Sequence, residues 1–185
     1  MNILIDIGHP AHVHLFKNFI FEMNKKSHNI ITTVKDEKSI IDLLKRYKIE
    51  FIKLGKKGKK VNDKIIKQAI FDLKVLYYLY RYNVDIAMGT SVSIAHACLF
   101  HKSKSYIFNE DDINSAPFFA KTAYPFAYRI ITPVSLNENH GKKHIQLNTL
   151  HELAYLHPKY FQPNESILKE LGIKKQDKYC QTRSP

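Results

Sequence analysis

The fold is decided by the stretch Ile3-Leu4-Ile5-Asp6-Ile7-Gly8-His9-Pro10-Ala11-His12-Val13-His14-Leu15-Phe16. A short apolar run ends in Gly8, three histidines follow within six residues, and a helical spacing of apolar residues comes after them. Strand, tight turn and helix start therefore meet at one point. In an open α/β sheet this point is the carboxyl end of a strand, where ligands bind. The stretch predicts a ligand site in the turn.

Beyond this stretch, strand-like and helix-like segments alternate along the chain. Predicted strands cover residues 2–7, 29–34, 50–54, 84–88, 105–108, 129–132 and 144–147. Between them apolar residues recur at helical spacing, as Phe16, Ile20 and Met23 do in the first helix. The alternation indicates an α/β fold class, a doubly wound, mostly parallel, Rossmann-like sheet with right-handed crossovers. We expect residues 1–147 to form this domain.

The longest predicted helix covers about residues 62–82. Its apolar stripe consists of Ile66, Ile70, Leu73, Tyr77 and Tyr80. On a surface helix, a stripe of this kind faces the core.

After residue 147 the alternation stops. Residues 148–177 contain His157-Pro158 and Gln162-Pro163, which are typical of an irregular connector. A short helix over residues 167–171 is expected to close at Gly172. Residues 178–185 start like another strand and then lose its period. We expect them to be the start of a second domain that is cut short or shifted out of frame.

The chain of 185 residues carries a formal net charge of +12, and much of it lies in the lysine-rich segment 53–60. Such a segment favours contact with nucleic acid, anionic lipid or a phosphorylated substrate, although a charge run is often only a solvated loop. The sequence contains no basic–aromatic RNA-binding motif and no zinc finger, so no nucleic acid partner is expected. The other readings stay open.

Cysteine usage and hydropathy bear on the compartment. Cys98 and Cys180 are far apart, which fits a reducing compartment and offers neither a disulfide framework nor a zinc motif. The N-terminus runs straight into a strand pattern rather than a signal peptide. No apolar run approaches the ~20 residues that a membrane span needs. We expect a cytoplasmic protein, with peripheral contact at the inner membrane face left open.

The histidines of the first turn are candidates for acid–base chemistry. The positive end of a helix dipole favours the neutral imidazole that a general base needs, and helix N–H groups there also bind anions such as phosphate. His12 lies nearest the predicted helix start and is the candidate base. His9 would orient the turn, and His14 points about 200° away around the helix. In two other readings the histidines only cap the turn, or they bind a metal; since no fourth ligand has suitable spacing, no metal is expected.

Polar residues also follow the fourth and fifth strands. Glu110 and Asp111 come at the predicted carboxyl edge, where they would bind substrate hydroxyls or hold a catalytic proton. An acidic turn that caps the next helix explains them equally well. Gly89, Thr90 and Ser91 suit an anionic or hydroxylated ligand, or they form an ordinary N-cap. Gly-x-Gly-x-x-Gly and Walker patterns do not occur in the sequence.

A metalloprotease motif is suggested by His151-Glu152-Leu153-Ala154-Tyr155-Leu156-His157. Its histidines are six residues apart, whereas zinc ligands on one helix face are four apart, so this zinc site is excluded. The segment would instead face a cleft towards a second domain. Glu152 and Tyr155 are its candidate substrate contacts.

Five pieces of the sequence together resemble DUF354, a prokaryotic family assigned to the GT-B glycosyltransferase superfamily. The pieces are Ile5-Asp6-Ile7-Gly8-His9-Pro10-Ala11-His12-Val13-His14, Phe108-Asn109-Glu110-Asp111-Asp112, Ala123-Tyr124-Pro125-Phe126-Ala127, Ile131-Thr132-Pro133, and residues 151–158. The resemblance implies the N-terminal half of a GT-B fold, which usually holds the acceptor, while a C-terminal half holds the nucleotide-sugar. The family is also similar to non-hydrolysing UDP-sugar 2-epimerases and to the peptidoglycan GlcNAc transferase. In the latter a glycine-rich turn ends in a histidine proposed as base, which His12 matches, although Gly8-His9-Pro10-Ala11 replaces most of the glycines.

What the resemblance implies is a glycosyltransferase-like activity with a UDP-linked sugar donor, a sugar or lipid-linked acceptor, and no metal or other cofactor. His12 would deprotonate the acceptor hydroxyl, and Glu110 and Asp111 would position the acceptor or support the base. The expected substrate contacts are Gly8, His9, His14, Thr90, Ser91, Glu152 and Tyr155. Without a donor-binding half, this chain alone is expected to be inactive.

Two alternatives accompany this hypothesis. One is a UDP-sugar 2-epimerase-like enzyme on the same fold, in which the carboxylates perform proton abstraction and elimination. The other is a non-catalytic domain that binds a glycan or a lipid surface. In that case the lysine-rich segment and an aromatic helix face of Phe71, Tyr77 and Tyr78 would lie on anionic lipid.

Overall fold

The computed structural model describes residues 1–58, 61–164 and 166–173. The strands are β1 (Asn2–Ile7), β2 (Asn29–Lys35), β3 (Ile52–Gly55), β4 (Ile86–Gly89), β5 (Lys104–Phe108), β6 (Arg129–Pro133) and β7 (His144–Leu147). The α-helices are α1 (Pro10–Lys25), α2 (Lys38–Arg46), α3 (Val61–Arg81), α4 (Val92–Ala97), α5 (Pro117–Ala123), α6 (Leu153–Leu156) and α7 (Ser166–Glu170). Short 3-10 turns follow α4 and α5, over Cys98–Phe100 and Tyr124–Phe126.

The seven strands form one sheet in the order β3-β2-β1-β4-β5-β6-β7. Every neighbouring pair is parallel. The order reverses at β1, which lies between β2 and β4, so a topological switch point lies at its carboxyl end. The predicted doubly wound, Rossmann-like α/β fold is confirmed.

Helices cover both faces of the sheet. Successive side chains of β1 point to opposite faces and pack against the helices on each. Ile3, Ile5 and Ile7 pack with the buried side of α1 and α2. Leu4 points to the opposite face and packs in a second cluster with residues of α3, α4 and α5. Because β1 is buried on both faces, its sequence is a nearly continuous apolar run.

Helix α3 overturns the predicted direction of its apolar stripe. Phe71, Val75 and Leu79 are buried against the sheet, while the predicted stripe points to solvent. The exposed fractions are 60% for Ile66, 38% for Ile70, 66% for Leu73, 56% for Tyr77 and 62% for Tyr80. The helix is apolar on two opposite sides, so periodicity by itself did not identify the inner one. The predicted aromatic face of Phe71, Tyr77 and Tyr78 is also wrong, because Phe71 lies in the core.

The connector packs back onto the sheet domain. The side-chain amide of Asn18 on α1 donates a 2.7 Å hydrogen bond to the carbonyl oxygen of Ala154 in α6. Further along, Asn164 Oδ1 accepts a hydrogen bond from Ser166 N at the start of α7. The predicted start of a second domain at residues 178–185 lies outside the described residues. Within the described part of the chain, no helix has both the length and the apolar character needed to cross a membrane.

Candidate functional site

Four strands deliver polar side chains to the carboxyl edge of the sheet. The turn after β1 carries Gly8 and His9, β4 leads into Thr90, and β5 leads through Asn109 into Glu110. The connector after β7 brings His151 to the same place, where it contacts Glu110. Parallel strands end on one edge, so residues that lie far apart in sequence converge there.

The first turn of α1 places its histidines. His9 is the N-cap residue, and its Nδ1 accepts a 3.2 Å hydrogen bond from the backbone N–H of Ala11. Pro10 follows as the first helical residue, where its missing N–H removes no helical hydrogen bond. The helix therefore begins at Pro10, and His12 lies within its first turn.

His12 lies buried between β4 and the loop after β5. Its side chain is 13% exposed. Thr90 Oγ1 lies 2.6 Å from Nδ1 and 3.0 Å from Nε2 of the ring, and the His9 ring centre is 5.7 Å away. Burial lowers the pKa of His12 from 6.5 to about 4, and Glu110 opposes this shift. At neutral pH the imidazole is therefore unprotonated and ready to accept a proton.

Glu110 lies between two histidines. Its Oε1 is 4.0 Å from Nε2 of His12, and its Oε2 is hydrogen-bonded to Nδ1 of His151. The hydrogen bond to His151 is the main reason that the pKa of Glu110 is lowered, and the charges of the nearby histidines act in the same direction. The carboxylate is ionised at neutral pH. It can stabilise positive charge on either ring.

Two hydrogen-bonded anchors hold the loop that carries Glu110. Asn109 Nδ2 donates to the carbonyl oxygen of Asp111 at 2.7 Å and to the hydroxyl of Tyr124 at 2.8 Å. The backbone N–H of Ile113 donates to Glu138 Oε1 at 2.8 Å. Asp111 thus contributes its backbone carbonyl oxygen to this anchor, and its side chain is exposed.

Thr90 reaches His12 because the chain bends tightly after β4. Gly89 has a φ of +153°, and a Cβ there would lie 2.4 Å from the carbonyl oxygen of Asp6. Only glycine fits this close strand approach. Ser91 is then the N-cap residue of α4, and its buried Oγ finds no hydrogen-bond partner among the described residues. Gly8 has open space where a Cβ would stand.

His14 belongs to a neighbouring group rather than to the contacts of His12. Its Nδ1 lies 3.3 Å from the hydroxyl of Tyr47, and its ring centre is 5.4 Å from that of Tyr155. Burial lowers the pKa of His14 and raises the pKa of Tyr155. Glu152 is exposed. Of the two candidate residues of the connector, Tyr155 therefore contacts α1, at His14.

An apolar cavity of about 530 Å³ adjoins His151. Its walls come from α1, from the ends of β4 and β5, and from the connector. Apolar lining residues include Phe16, Phe19, Met88, Phe108, Leu150 and Tyr160. The volume lies in the range of small-molecule pockets.

His151 is the member of the cluster that sequence reasoning missed. The spacing of His151 and His157 excludes a zinc pair, and the candidate substrate contacts of this segment were Glu152 and Tyr155 rather than His151. The available signal was positional, since a histidine shortly after the last parallel strand must lie near the edge where Glu110 also lies. Among the described residues, no three histidine, cysteine or acidic side chains are arranged to hold a metal ion.

Comparison of sequence and of structure finds proteins that are similar to this chain. An uncharacterized protein of Methanocaldococcus jannaschii is 27% identical over 183 residues, which cover 94% of this chain and 53% of that protein. A UDP-GlcNAc 2-epimerase from Neisseria meningitidis, solved with UDP-GlcNAc bound, matches with a TM-score of 0.65 at 14% identity over 95% of this chain and 52% of its own. A glycosyltransferase from Rickettsia africae matches with a TM-score of 0.59 at 13% identity over 95% of this chain and 50% of its own.

This chain thus spans about half the length of the proteins that it matches. The two solved structures are too distant in sequence to carry more than the fold. The family is shown by the sequence itself, because the family model described as "Protein of unknown function (DUF354)" matches residues 1–184. The predicted resemblance is confirmed, and the chain belongs to the DUF354 family.

Proposed function

We propose that this chain forms the acceptor-side half of a glycosyltransferase-like enzyme whose donor is a nucleotide-sugar, with UDP as the expected nucleotide. Residues 1–147 would be the acceptor-side domain and residues 148–177 the connector to a donor-binding half. The observation that carries the proposal is the buried, unprotonated His12 beside the carboxylate of Glu110 at the carboxyl edge of the sheet. The fold shared with a glycosyltransferase is consistent with it.

In the proposed reaction, Nε2 of His12 takes the proton of an acceptor hydroxyl. The hydroxyl oxygen forms a bond to the anomeric carbon of the donor, and the bond from that carbon to the nucleotide diphosphate breaks. The proton stays on His12, where Glu110 stabilises the imidazolium. Closing the 4.0 Å gap between the two groups would raise the basicity of His12, since the carboxylate opposes the effect of burial.

The remaining contacts are assigned by position. Gly8, His9, Thr90 and Ser91 line the turns beside His12 and would bind polar groups of the substrates. The apolar cavity beside His151 would hold an apolar portion of the acceptor, as a lipid-linked acceptor has. His14, Glu152 and Tyr155 would contact the acceptor further along α1, and Asp111 would act at the rim of the site.

A UDP-sugar 2-epimerase-like activity is the second candidate. The observation that favours it is the ionised carboxylate of Glu110 held between two histidines, an arrangement suited to moving a proton on and off a sugar carbon. The UDP-GlcNAc 2-epimerase structure has the same fold in about half of its length. In this case, Glu110 would take the proton from the sugar carbon as the bond to UDP breaks, and the neutral His12 would donate an N–H hydrogen bond to the departing phosphate. Addition of a proton to the opposite face of that carbon and re-formation of the bond to UDP would complete the epimerisation.

One assay separates the two candidates. The protein in its complete form is incubated with UDP-GlcNAc, with and without sugar and lipid-linked acceptors, and UDP and sugar products are quantified. Release of UDP that depends on an acceptor supports transfer, whereas epimerised sugar without an acceptor supports the second candidate. His12→Ala is expected to lower turnover by about 10²-fold or more. His28→Ala is the matched control, because His28 precedes β2 at the opposite edge of the sheet. Transfer at an unchanged rate in His12→Ala would remove His12 from its role.

A further inference from the structure

The solvent side of α3 is an apolar surface that the candidate site does not use. We call it the outer α3 face, and it consists of Ile66, Ile70, Leu73, Tyr77 and Tyr80. All five side chains are between 38% and 66% exposed. The spacing of four and three residues places them in one row along a helix of 21 residues. Isolated apolar side chains on a surface are ordinary, but a continuous row marks an interaction surface.

The surface continues beyond α3. The hydroxyl of Tyr80 donates a 2.6 Å hydrogen bond to the carbonyl oxygen of Phe100, and its ring lies edge-on to His101 with centres 4.7 Å apart. Leu99 and Phe100 are 54% and 68% exposed. The 3-10 turn after α4 therefore extends the outer α3 face at its C-terminal end.

Packing on the sheet does not account for this surface. The opposite side of α3 carries Phe71, Val75 and Leu79, which fill the core. Polar neighbours on the inner side are also satisfied, because Gln68 donates to Asp72 at 2.7 Å and to Ser93 at 2.8 Å. The inner side of α3 therefore supplies all of the helix's contribution to the buried core. The outer side contributes apolar area that only a second surface can bury.

Positive charge borders one edge of the outer α3 face. Lys67, Lys74 and Arg81 recur every seven residues, which puts them on one line along the helix. The ammonium of Lys74 donates a hydrogen bond to the carbonyl oxygen of Leu54, so Lys67 and Arg81 supply the cations of this edge. Arg81 donates a 3.2 Å hydrogen bond to the hydroxyl of Tyr77, so cation and aromatic ring are adjacent. Of the two acidic residues of α3, Asp63 lies in the first turn and Asp72 is paired with His96. The excess positive charge agrees with the net charge of +12 for the whole chain.

We propose that the outer α3 face lies flat on a membrane surface that contains anionic phospholipids. An apolar row with cations at its edge is the chemistry of a helix that lies in the interface, with its apolar side among the acyl chains and its cations at the phosphates. Tyrosines suit the boundary between the two layers because each ring is apolar and its hydroxyl is polar. At 1.5 Å per residue, the outer α3 face is about 21 Å long from Ile66 to Tyr80. The inference stands independently of the proposed reaction.

Vesicle co-sedimentation of the full chain tests the proposal. One set of vesicles contains equal parts of phosphatidylglycerol and phosphatidylcholine, and the other contains phosphatidylcholine alone. We expect pelleting with the anionic set that weakens as salt is raised. Leu73→Asp/Tyr77→Asp should weaken binding by about tenfold or more, because two apolar side chains no longer insert. The matched control is Ile167→Asp/Leu171→Asp, which adds the same two charges at residues that are 51% and 66% exposed.

A second pair of variants separates the effect of the α3 cations from the effect of the net charge of the chain. Lys67→Glu/Arg81→Glu should weaken binding to anionic vesicles by about tenfold or more. Lys26→Glu/Lys45→Glu makes the same change in net charge on exposed residues beyond α1 and in α2, and should bind like the original chain. Lys26, Lys45 and Arg81 are exposed and Lys67 is half-buried, so urea unfolding should change by no more than about 1 kcal/mol.

Three results would overturn the proposal. The first is no binding to anionic vesicles at low salt. The second is equal loss in the α3 variants and their controls, which would reduce the effect to net charge. The third is self-association in sedimentation velocity that Leu73→Asp/Tyr77→Asp abolishes while vesicle binding persists, because the outer α3 face would then be an interface between two copies of the chain.

Discussion

Two histidine–carboxylate pairs of this protein differ in the hydrogen bonds that the nitrogens of the histidine ring make. In the helical layer, His96 Nδ1 lies 2.8 Å from Asp72 Oδ2 and its Nε2 lies 2.9 Å from the carbonyl oxygen of Thr122. At the sheet edge, His12 Nε2 lies 4.0 Å from Glu110 Oε1, beyond hydrogen-bond reach. The first pair ties α3, α4 and α5 together. In the second pair, the His12 ring has the hydroxyl of Thr90 as its hydrogen-bond partner and lies close to the charge of Glu110 without bonding to it.

The difference teaches how to separate a structural histidine from a reactive one. A ring whose two nitrogens each have an oxygen partner of their own has no atom left for a substrate. His12 shares one hydroxyl, that of Thr90, between its two nitrogens, and its pKa is moved by burial rather than by a bonded partner. We therefore expect substitutions at the first pair to change stability, and those at the second to change turnover.

The largest expected effect follows from Glu110→Gln. The amide keeps the size of the side chain but cannot stabilise a protonated His12, so turnover should fall by about 10²-fold or more while urea unfolding changes little. Initial rates of UDP release at saturating donor measure the effect. Glu50→Gln, at an exposed position before β3, is the control. Normal turnover in Glu110→Gln would mean that the gap between the pair is not bridged during the reaction.

The second effect is a pH dependence of stability that originates at His12. The folded chain binds this proton only near pH 4, whereas the unfolded chain binds it near pH 6.5. The free energy of unfolding should therefore fall as the pH is lowered from 6.5 to 4, by about 3 kcal/mol for this group, and this group should contribute no slope above pH 6.5.

Urea unfolding at closely spaced pH values, taken as the difference between the original chain and His12→Ala, isolates this contribution. The proton shift of the His12 ring in NMR gives the pKa directly. Parallel stability curves for the two proteins, or a ring that titrates near pH 6.5, would show that burial does not hold His12 unprotonated.

A smaller effect is expected at the other pair. Asp72→Ala removes the acceptor shared by His96 and Gln68, so we expect a loss of about 2 kcal/mol in unfolding free energy. Turnover of the folded protein should stay unchanged. Asp42→Ala, at an exposed position on α2, serves as the control and should alter neither quantity. A drop in turnover at unchanged stability would reverse the assignment of the two pairs.

The smallest effect belongs to Thr90→Val, which preserves shape and removes the hydroxyl beside the His12 ring. Because the hydroxyl orients the ring without carrying charge, we expect a loss of turnover of roughly tenfold or less. Serine at this position should restore most of it. A loss as large as that of Glu110→Gln would place Thr90 in contact with the reacting hydroxyl.

The sequence predicted the sheet well because each strand is defined by its own neighbours. The bounds of β1 and β7 agree with the structure to the residue, and the other strands agree within two. The edge residues His12, Thr90 and Glu110 were candidates for the same local reason, since each follows a strand. Their contacts with one another could not be predicted from local sequence. Which loops meet depends on strand order, and the order around β1 is a property of the whole sheet.

Helix α3 marks where periodicity stops being informative. The rows of Phe71, Val75, Leu79 and of Ile66, Ile70, Leu73, Tyr77, Tyr80 both have helical spacing, so each qualifies as a buried side. Only the position of the helix over β4 and beside α4 selects between them. The error has a physical meaning, because the more prominent apolar row is the one that stays exposed to solvent.

The sequence by itself determined the elements, their alternation and the residues that end each strand, because these depend on spacings of two to four residues along the chain. Only the tertiary structure decided which side of α3 is buried, which of the three histidines of the first turn faces Glu110, and that His151 completes the group. Those outcomes rest on contacts between residues separated by 41 positions in the pair of Glu110 and His151 and by 78 in the pair of His12 and Thr90. Local spacing carries no information about contacts of that range.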